Sequence, residues 1–281
     1  MLELRNICKI YNPGTVQEIC LFENFNLSVP KGQFVSGVGS NGSCKTNMLN
    51  IICGSIAPDS GSIILADRDI VRESEHRRAR RMGRVYQNPA MGTCASMTIL
   101  ENMALADNKG KRYDLRPGTD RRRVEAYKEL LHPLGLGLEN MMNSKVGSLS
   151  GGQRQALSLI MSSMTPIEFL ILDEHTAALD PKTAEIIMQL TDRIVREKKL
   201  TALMVTHNLR YALEYGDRLL MMHQGGIVLD KAGEEKQAVQ MDDILKIQRD
   251  QHRVRQLKAA KRRSRSVSER RFLRVCITAS G

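Results

Sequence analysis

The residues best able to do chemistry in this 281-residue chain are Gly39, Ser40, Asn41, Gly42, Ser43, Cys44, Lys45 and Thr46. Glycine, four residues, then Gly-Lys-Ser/Thr describes a loop whose successive backbone N–H groups wrap a phosphate. In that pattern the lysine neutralises the anion and the hydroxyl reaches a divalent cation. Every position complies except Cys44, which stands where the second glycine belongs. Two further groups have suitable types. The apolar run Phe169-Leu170-Ile171-Leu172 ends in Asp173-Glu174, placing two carboxylates at the C-terminal end of a buried strand, where open α/β sheets bind ligands. Ser150-Gly151-Gly152 offers a hydroxyl and approachable backbone N–H groups at a helix start, a second anion site.

These groups need elements to hold them. Gln33 to Val38 reads as a short buried strand ahead of the loop. Behind it Met48, Leu49, Ile51 and Ile52 fall on one helical face, with Gly54 as a C-cap. A phosphate there would meet a helix N-terminus, whose free N–H groups and dipole favour an anion. Leu2 to Ile7 alternates like an edge strand, with Tyr11 just before the turn Asn12-Pro13-Gly14. Phe25, Leu27 and Val29 alternate again, and Arg84-Val85-Tyr86 is a short strand delivering Gln87. From Thr98 to about Leu138 the pattern turns helical, broken by the polar stretch 107–112. Pro181 to Lys198 reads as a long helix with Ile186, Ile187, Leu190 and Ile194 on one face, and the strand Thr201 to Val205 leads to Thr206-His207. Strands alternating with helices imply a mostly parallel sheet with helices packed on it.

Taken in order, the phosphate loop, Gln87, Leu149-Ser150-Gly151-Gly152-Gln153, Asp173-Glu174, Asp180 and His207 resemble the ATP-binding subunit of ABC transporters, over about residues 2 to 245. The phrases 83–89 and 172–181 look closest to bacterial ABC ATPases encoded beside importer permeases and binding proteins, some of them assigned to tryptophan or tyrosine uptake. The resemblance implies an α/β P-loop NTPase with a mostly parallel sheet, an antiparallel β part at the N-terminus and a helical subdomain inserted at about 98–163. It implies a domain over 1–250 and leaves a tail, 251–281, outside.

It also implies roles. Tyr11 would stack on adenine, and residues from Gly39 to Asn47 would hold the phosphates of ATP, with Lys45 on the β- and γ-phosphates. Thr46, Gln87 and Asp173 would hold Mg2+; Glu174 would be the base or water-orienting residue and His207 would reach the γ-phosphate. Two copies would bind ATP head to tail, so that Ser150, Gly151, Gly152 and Gln153 of one contact the nucleotide of the other, with Asp180 linking the two sites. Expected partners are membrane permease subunits and a separate substrate-binding protein, at the cytoplasmic face of a bacterial inner membrane. The surface near Gln87 and the helical insert would receive the permease loops.

Cys44 puts turnover in question. Glycine permits backbone dihedrals that cost other residues on the order of 1–3 kcal/mol. Three readings follow: a tolerated small residue, an impaired site, or a thiol activated by the helix N-terminus whose oxidation closes the site.

Composition narrows the rest. The net charge of +11 is concentrated between Arg253 and Arg274, where ten basic residues face Glu269 alone. That tail is too charged to fold by itself; it could bind nucleic acid or an anionic membrane surface, or be only solvated. A nucleic-acid ABC protein of the chromosome type is disfavoured as a whole, because no sustained heptads separate the loop from the Ser-Gly-Gly segment. No apolar stretch approaches the roughly 20 residues of a membrane span, and the first residues do not read as a signal peptide. The six scattered cysteines form no metal-binding pair and read as reduced packing residues.

Overall fold

The structure is a computed structural model describing residues 1–40, 42–111 and 118–251. Asn41 and nearly all of the basic tail therefore lie outside the described residues. The chain forms two compact units, Met1–Gln237 and Ala238–Gly281; of the second, residues 241–251 are helical.

The first unit runs β1 (Leu2–Tyr11), β2 (Ile19–Val29), β3 (Phe34–Val38), α1 (Lys45–Cys53), β4 (Ser60–Leu65), β5 (Arg68–Asp69), α2 (Glu75–Ala79), β6 (Met82–Val85), α3 (Ile99–Asp107) and α4 (Val124–Leu131). It continues with α5 (Gly151–Ser163), β7 (Phe169–Asp173), α6 (Pro181–Glu197), β8 (Ala202–Val205), α7 (Leu209–Glu214), β9 (Arg218–His223), β10 (Gly226–Ala232) and α8 (Glu234–Gln237). Two sheets result. One is antiparallel in the order β2-β1-β4-β5, and the other runs β10-β9-β3-β8-β7-β6, parallel except for β10.

The parallel strands are buried on both faces, as their unbroken apolar runs require. Alternation then sorts each strand between two cores. Phe169 and Ile171 of β7, with Leu203 and Val205 of β8, face α1 and the antiparallel sheet. Leu170, Leu172, Ala202 and Met204 face the opposite way, against α3, α4, α5 and α6. On α1 the expected face, Met48, Leu49, Ile51 and Ile52, is buried, and Gly54 closes the helix in the left-handed region at φ 88°. Each such side chain contributes about 1.5–3 kcal/mol. Truncating fully buried Leu49 to alanine would cost about 2–5 kcal/mol, because the cavity left behind adds to the lost transfer energy.

Several sequence expectations change. β1 is not an edge strand: it lies between β2 and β4 and is hydrogen-bonded on both sides. Ile186 does not share the buried face of α6; one residue from Ile187, it is turned about 100° round the axis and is 38% exposed. Of the five cysteines among the described residues, all free, only Cys53 is buried, so packing is not their common role.

Candidate nucleotide site

β3 sits in the middle of the parallel sheet, and its C-terminal end passes directly into the loop. Gly39 is required there: a Cβ would run into the carbonyl oxygen of Met222 on β9. At the other end of the loop Cys44 is the residue preceding α1, with φ 69° and ψ 16°. This is the left-handed conformation glycine would adopt freely, so the departure in the sequence falls on a backbone position that disfavours a side chain.

No side chain among the described residues caps α1, whereas Thr98, Ser150, Asp180 and Asn208 cap α3, α5, α6 and α7. The first N–H groups of α1 are thus left for an outside acceptor. Lys45 is buried beneath them, and its Nζ donates to the Gly39 carbonyl at 2.6 Å, the Ser40 carbonyl at 3.3 Å and Ser43 Oγ at 3.3 Å. Burial depresses the lysine pKa, while Glu174 and Asp173 act to hold it up. Cation, carboxylates and open helix end therefore share one electrostatic neighbourhood. Of the three readings of Cys44, the activated thiol is the one its surroundings disfavour. Burial pushes its pKa up, Cys20 adds to the rise, and Lys45 only partly opposes it.

The carboxylates arrive at the end of β7, which β8 separates from β3. Asp173 ends β7 opposite Val205, the last residue of β8. Glu174 follows at φ 48°, its N–H donating to the Val205 carbonyl at 2.8 Å. From beyond β8, His207 Nε2 comes within 2.6 Å of Glu174 Oε1. Asp173 is not free: its Oδ2 accepts from Arg84 Nη2 at 2.8 Å. The oxygen-donor set of Thr46 hydroxyl, Gln87 amide and Asp173 carboxylate suits a hard cation such as Mg2+. Thr46 and Gln87 are both exposed.

The remaining candidates lie elsewhere on the unit. Ser150 and Gln153 form a reciprocal cap, Gln153 N–H to Ser150 Oγ at 3.2 Å and Ser150 N–H to Gln153 Oε1 at 3.1 Å. Gln153 Nε2 also donates to the Leu136 carbonyl at 3.2 Å, tying this helix start to the preceding segment. Gly152 has a packing reason as well, since a Cβ there would collide with Thr183 of α6. Asp180 caps α6 by accepting from Thr183 N–H at 3.1 Å and is exposed. Tyr11 ends β1, 38% exposed, with Lys9 Nζ 5.4 Å from its ring centre. Sequence reading missed Arg84 and Asn50, which meet at 3.0 Å, and buried His175, whose Nε2 lies 3.0 Å from Thr191 Oγ1. Burial pushes the His175 pKa down to about 4 and keeps the ring neutral.

A phosphate loop leaving the central strand of a parallel sheet, with an acidic pair at the end of β7, one strand removed across β8, defines a P-loop nucleotide-hydrolysing fold. The family model "ABC transporter" matches residues 22–177. A tyrosine transport ATP-binding protein of Clostridioides difficile is 47% identical over 245 residues, covering 87% of this chain and 97% of that protein. A phosphonates import ATP-binding protein of Chromohalobacter salexigens is 32% identical, covering 83% of this chain and 84% of its own. Among solved structures, a dimeric ATP-binding cassette in a post-hydrolysis state bound to ADP and Pi superposes with a TM-score of 0.70 at 30% identity, over 83% of this chain and 98% of that one. The chain belongs to the ABC transporter family and is one of its ATP-binding, ATP-hydrolysing subunits.

Proposed function

We propose that this chain powers an importer as one of two copies that close head to tail on ATP beneath a pair of permease subunits. The observation that carries the site reading is the uncapped start of α1 above buried Lys45, whose charge Glu174 and Asp173 act to sustain. Lys45 and the free N–H groups of α1 bind the β- and γ-phosphates, and Tyr11 stacks on the base. Thr46, Gln87 and Asp173 hold Mg2+, which neutralises charge on the transferring phosphoryl group when bound. Glu174 orients and deprotonates the attacking water while His207 holds its carboxylate in place; the new bond forms to the γ-phosphorus as the bond to the bridging oxygen breaks. Ser150 and Gly151, exposed, with Gly152 and Gln153 behind them, present a helix start to the partner's nucleotide, and Asp180 stands at the head of α6. The helical segment within 98–163 and the residues around Gln87 receive the permease, placing the protein at the cytoplasmic face of the membrane.

The 47% identity to a tyrosine transport ATP-binding protein favours an aromatic amino acid as cargo, delivered by a separate binding protein. The test is uptake of labelled tyrosine in cells lacking the chain, complemented with the natural sequence or with Lys45→Ala. Uptake restored by the first and not the second supports the assignment. Unchanged tyrosine uptake in the deletion strain refutes the cargo.

A further inference from the structure

We propose that Arg84 is a positioning residue that serves Asp173 as a resident counter-ion and thereby sets how much Mg2+ the nucleotide site requires. The inference rests on the Mg2+-ATP reading above and names a residue which that reading does not use.

Arg84 lies on β6, paired with Ile171 of β7, so its side chain reaches the carboxylate two residues further along the same face. The guanidinium Nη2 donates both to Asp173 Oδ2 at 2.8 Å and to Asn50 Oδ1 at 3.0 Å. The two charged side chains are only 12% and 10% exposed. The guanidinium carbon is also 4.6 Å from the ring centre of Tyr86. Asn50 stands four residues after Thr46 on α1, which puts both on one face of that helix. One guanidinium thus grips the acidic strand end and the helix carrying the expected metal-binding hydroxyl.

A buried carboxylate without a partner is costly, and arginine is a permanent cation. Arg84 therefore meets the charge of Asp173 before any metal arrives, and engages only one of its two oxygens. A divalent cation must bind a carboxylate already half neutralised, next to a fixed positive charge that repels it. The guanidinium lowers Mg2+ affinity while it leaves Oδ1 without a bond to Arg84. Its Nε is buried without a hydrogen-bond partner among the described residues. The guanidinium reaches Asp173 through Nη2 alone, with Asn50, Cys53 and Tyr86 as its other neighbours, so it can yield at the carboxylate when a metal takes over.

The experiment titrates Mg2+ into the full chain with a fluorescent N-methylanthraniloyl ATP at fixed concentration, starting from excess EDTA. Arg84→Met and Arg84→Gln, both neutral, are expected to lower the half-saturating Mg2+ concentration about threefold to tenfold. Arg84→Lys, which keeps the charge, stays within about twofold of the natural protein. A purely structural arginine would instead weaken nucleotide binding equally with and without Mg2+. That result, or an unchanged or higher Mg2+ requirement in a neutral variant, overturns the proposal. In the unsubstituted protein, exchange of the Arg84 side-chain N–H groups, assigned by their loss in Arg84→Lys, should quicken when Mg2+ joins bound ATP. Unchanged exchange overturns the proposal even if the neutral variants do not fold. Nucleotide binding by the natural protein that ignores Mg2+ altogether would instead sink the metal reading on which this one stands.

Discussion

Glu174 Oε1 and His207 Nε2 lie 2.6 Å apart across the ends of two adjacent parallel strands. Neither strand alone places them: β7 and β8 are in register up to Asp173 and Val205, and each then turns outward and delivers one member of the pair. Glu174 does so from a left-handed backbone, φ 48°, pinned by its N–H on the Val205 carbonyl. A non-glycine residue held in that region is locally strained, and such strain is found where geometry serves a site.

The pair predicts non-additive kinetics. Glu174→Gln keeps size and a hydrogen bond to His207 but removes the base, so ATP turnover should fall by about 10²–10⁴-fold. Nucleotide affinity should remain within about threefold. His207→Ala should also slow turnover, and the double variant should be no worse than Glu174→Gln alone, because the two act as a unit. Steady-state phosphate release from the three variants measures this. Fully multiplicative losses would show that the histidine acts independently of the glutamate.

Cys44 holds glycine's conformation at a cost of about 1–2 kcal/mol. Cys44→Gly should bind ATP several-fold more tightly, since the loop no longer resists its shape; unfolded-state entropy offsets part of any gain in stability. Cys44→Val, stiff at χ1 and poorly suited to positive φ, should move affinity the other way. Isothermal titration of ATP into the three proteins decides the sign. The half-buried Cys44 thiol should also alkylate slowly at neutral pH, and later than Cys94, whose pKa is lowered by hydrogen bonds from Ser96.

Much of this site was legible because its parts are local in sequence. The loop, the acidic strand end and the helix starts at Ser150 and Asp180 each announce themselves within a few residues. What escaped depends on pairing over distance. Arg84 reaches partners 34 and 89 residues away, and no periodicity points from β6 to the carboxylate two positions along a neighbouring strand. The status of β1 was missed for a related reason: alternation reports one buried face, whereas central or edge position depends on which strands pair. Ser150 and Asp180 were read through nucleotide chemistry alone, yet each also closes its own helix. Gly152 likewise answers to Thr183, a contact visible only once α5 and α6 are packed.

His175 and Thr191 give a prediction about stability. Thr191 Oγ1 donates to the Ile187 carbonyl at 2.7 Å, so its remaining capacity is to accept, and His175 must present a protonated Nε2 to it. Thr191→Val preserves shape and deletes the acceptor, leaving a buried N–H unsatisfied at about 1–3 kcal/mol. For a chain of this size that lowers the melting temperature by several degrees. Thr191→Ser restores the oxygen and should recover most of the loss. An unchanged melting curve for Thr191→Val would mean that the contact contributes nothing to stability.

Lys109 supplies the pH dependence. Its Nζ donates to the Met82 carbonyl at 2.6 Å, and burial pushes its pKa down to about 8 from 10.5. Between those values the unfolded chain holds a proton that the folded protein has released, so folding stability attributable to this residue rises with pH. Below pH 8 both states are charged and the penalty is constant. Lys109→Met removes the titration, and the stability difference between natural protein and variant should shift in favour of the natural protein from pH 7.5 to 9.5. Part of the side chain remains in contact with solvent, so the shift should be about 1 kcal/mol rather than the full value of the pKa change. Urea unfolding of both proteins at the two pH values measures it. A difference that stays flat would show that the lysine is solvated well enough to keep its ordinary titration.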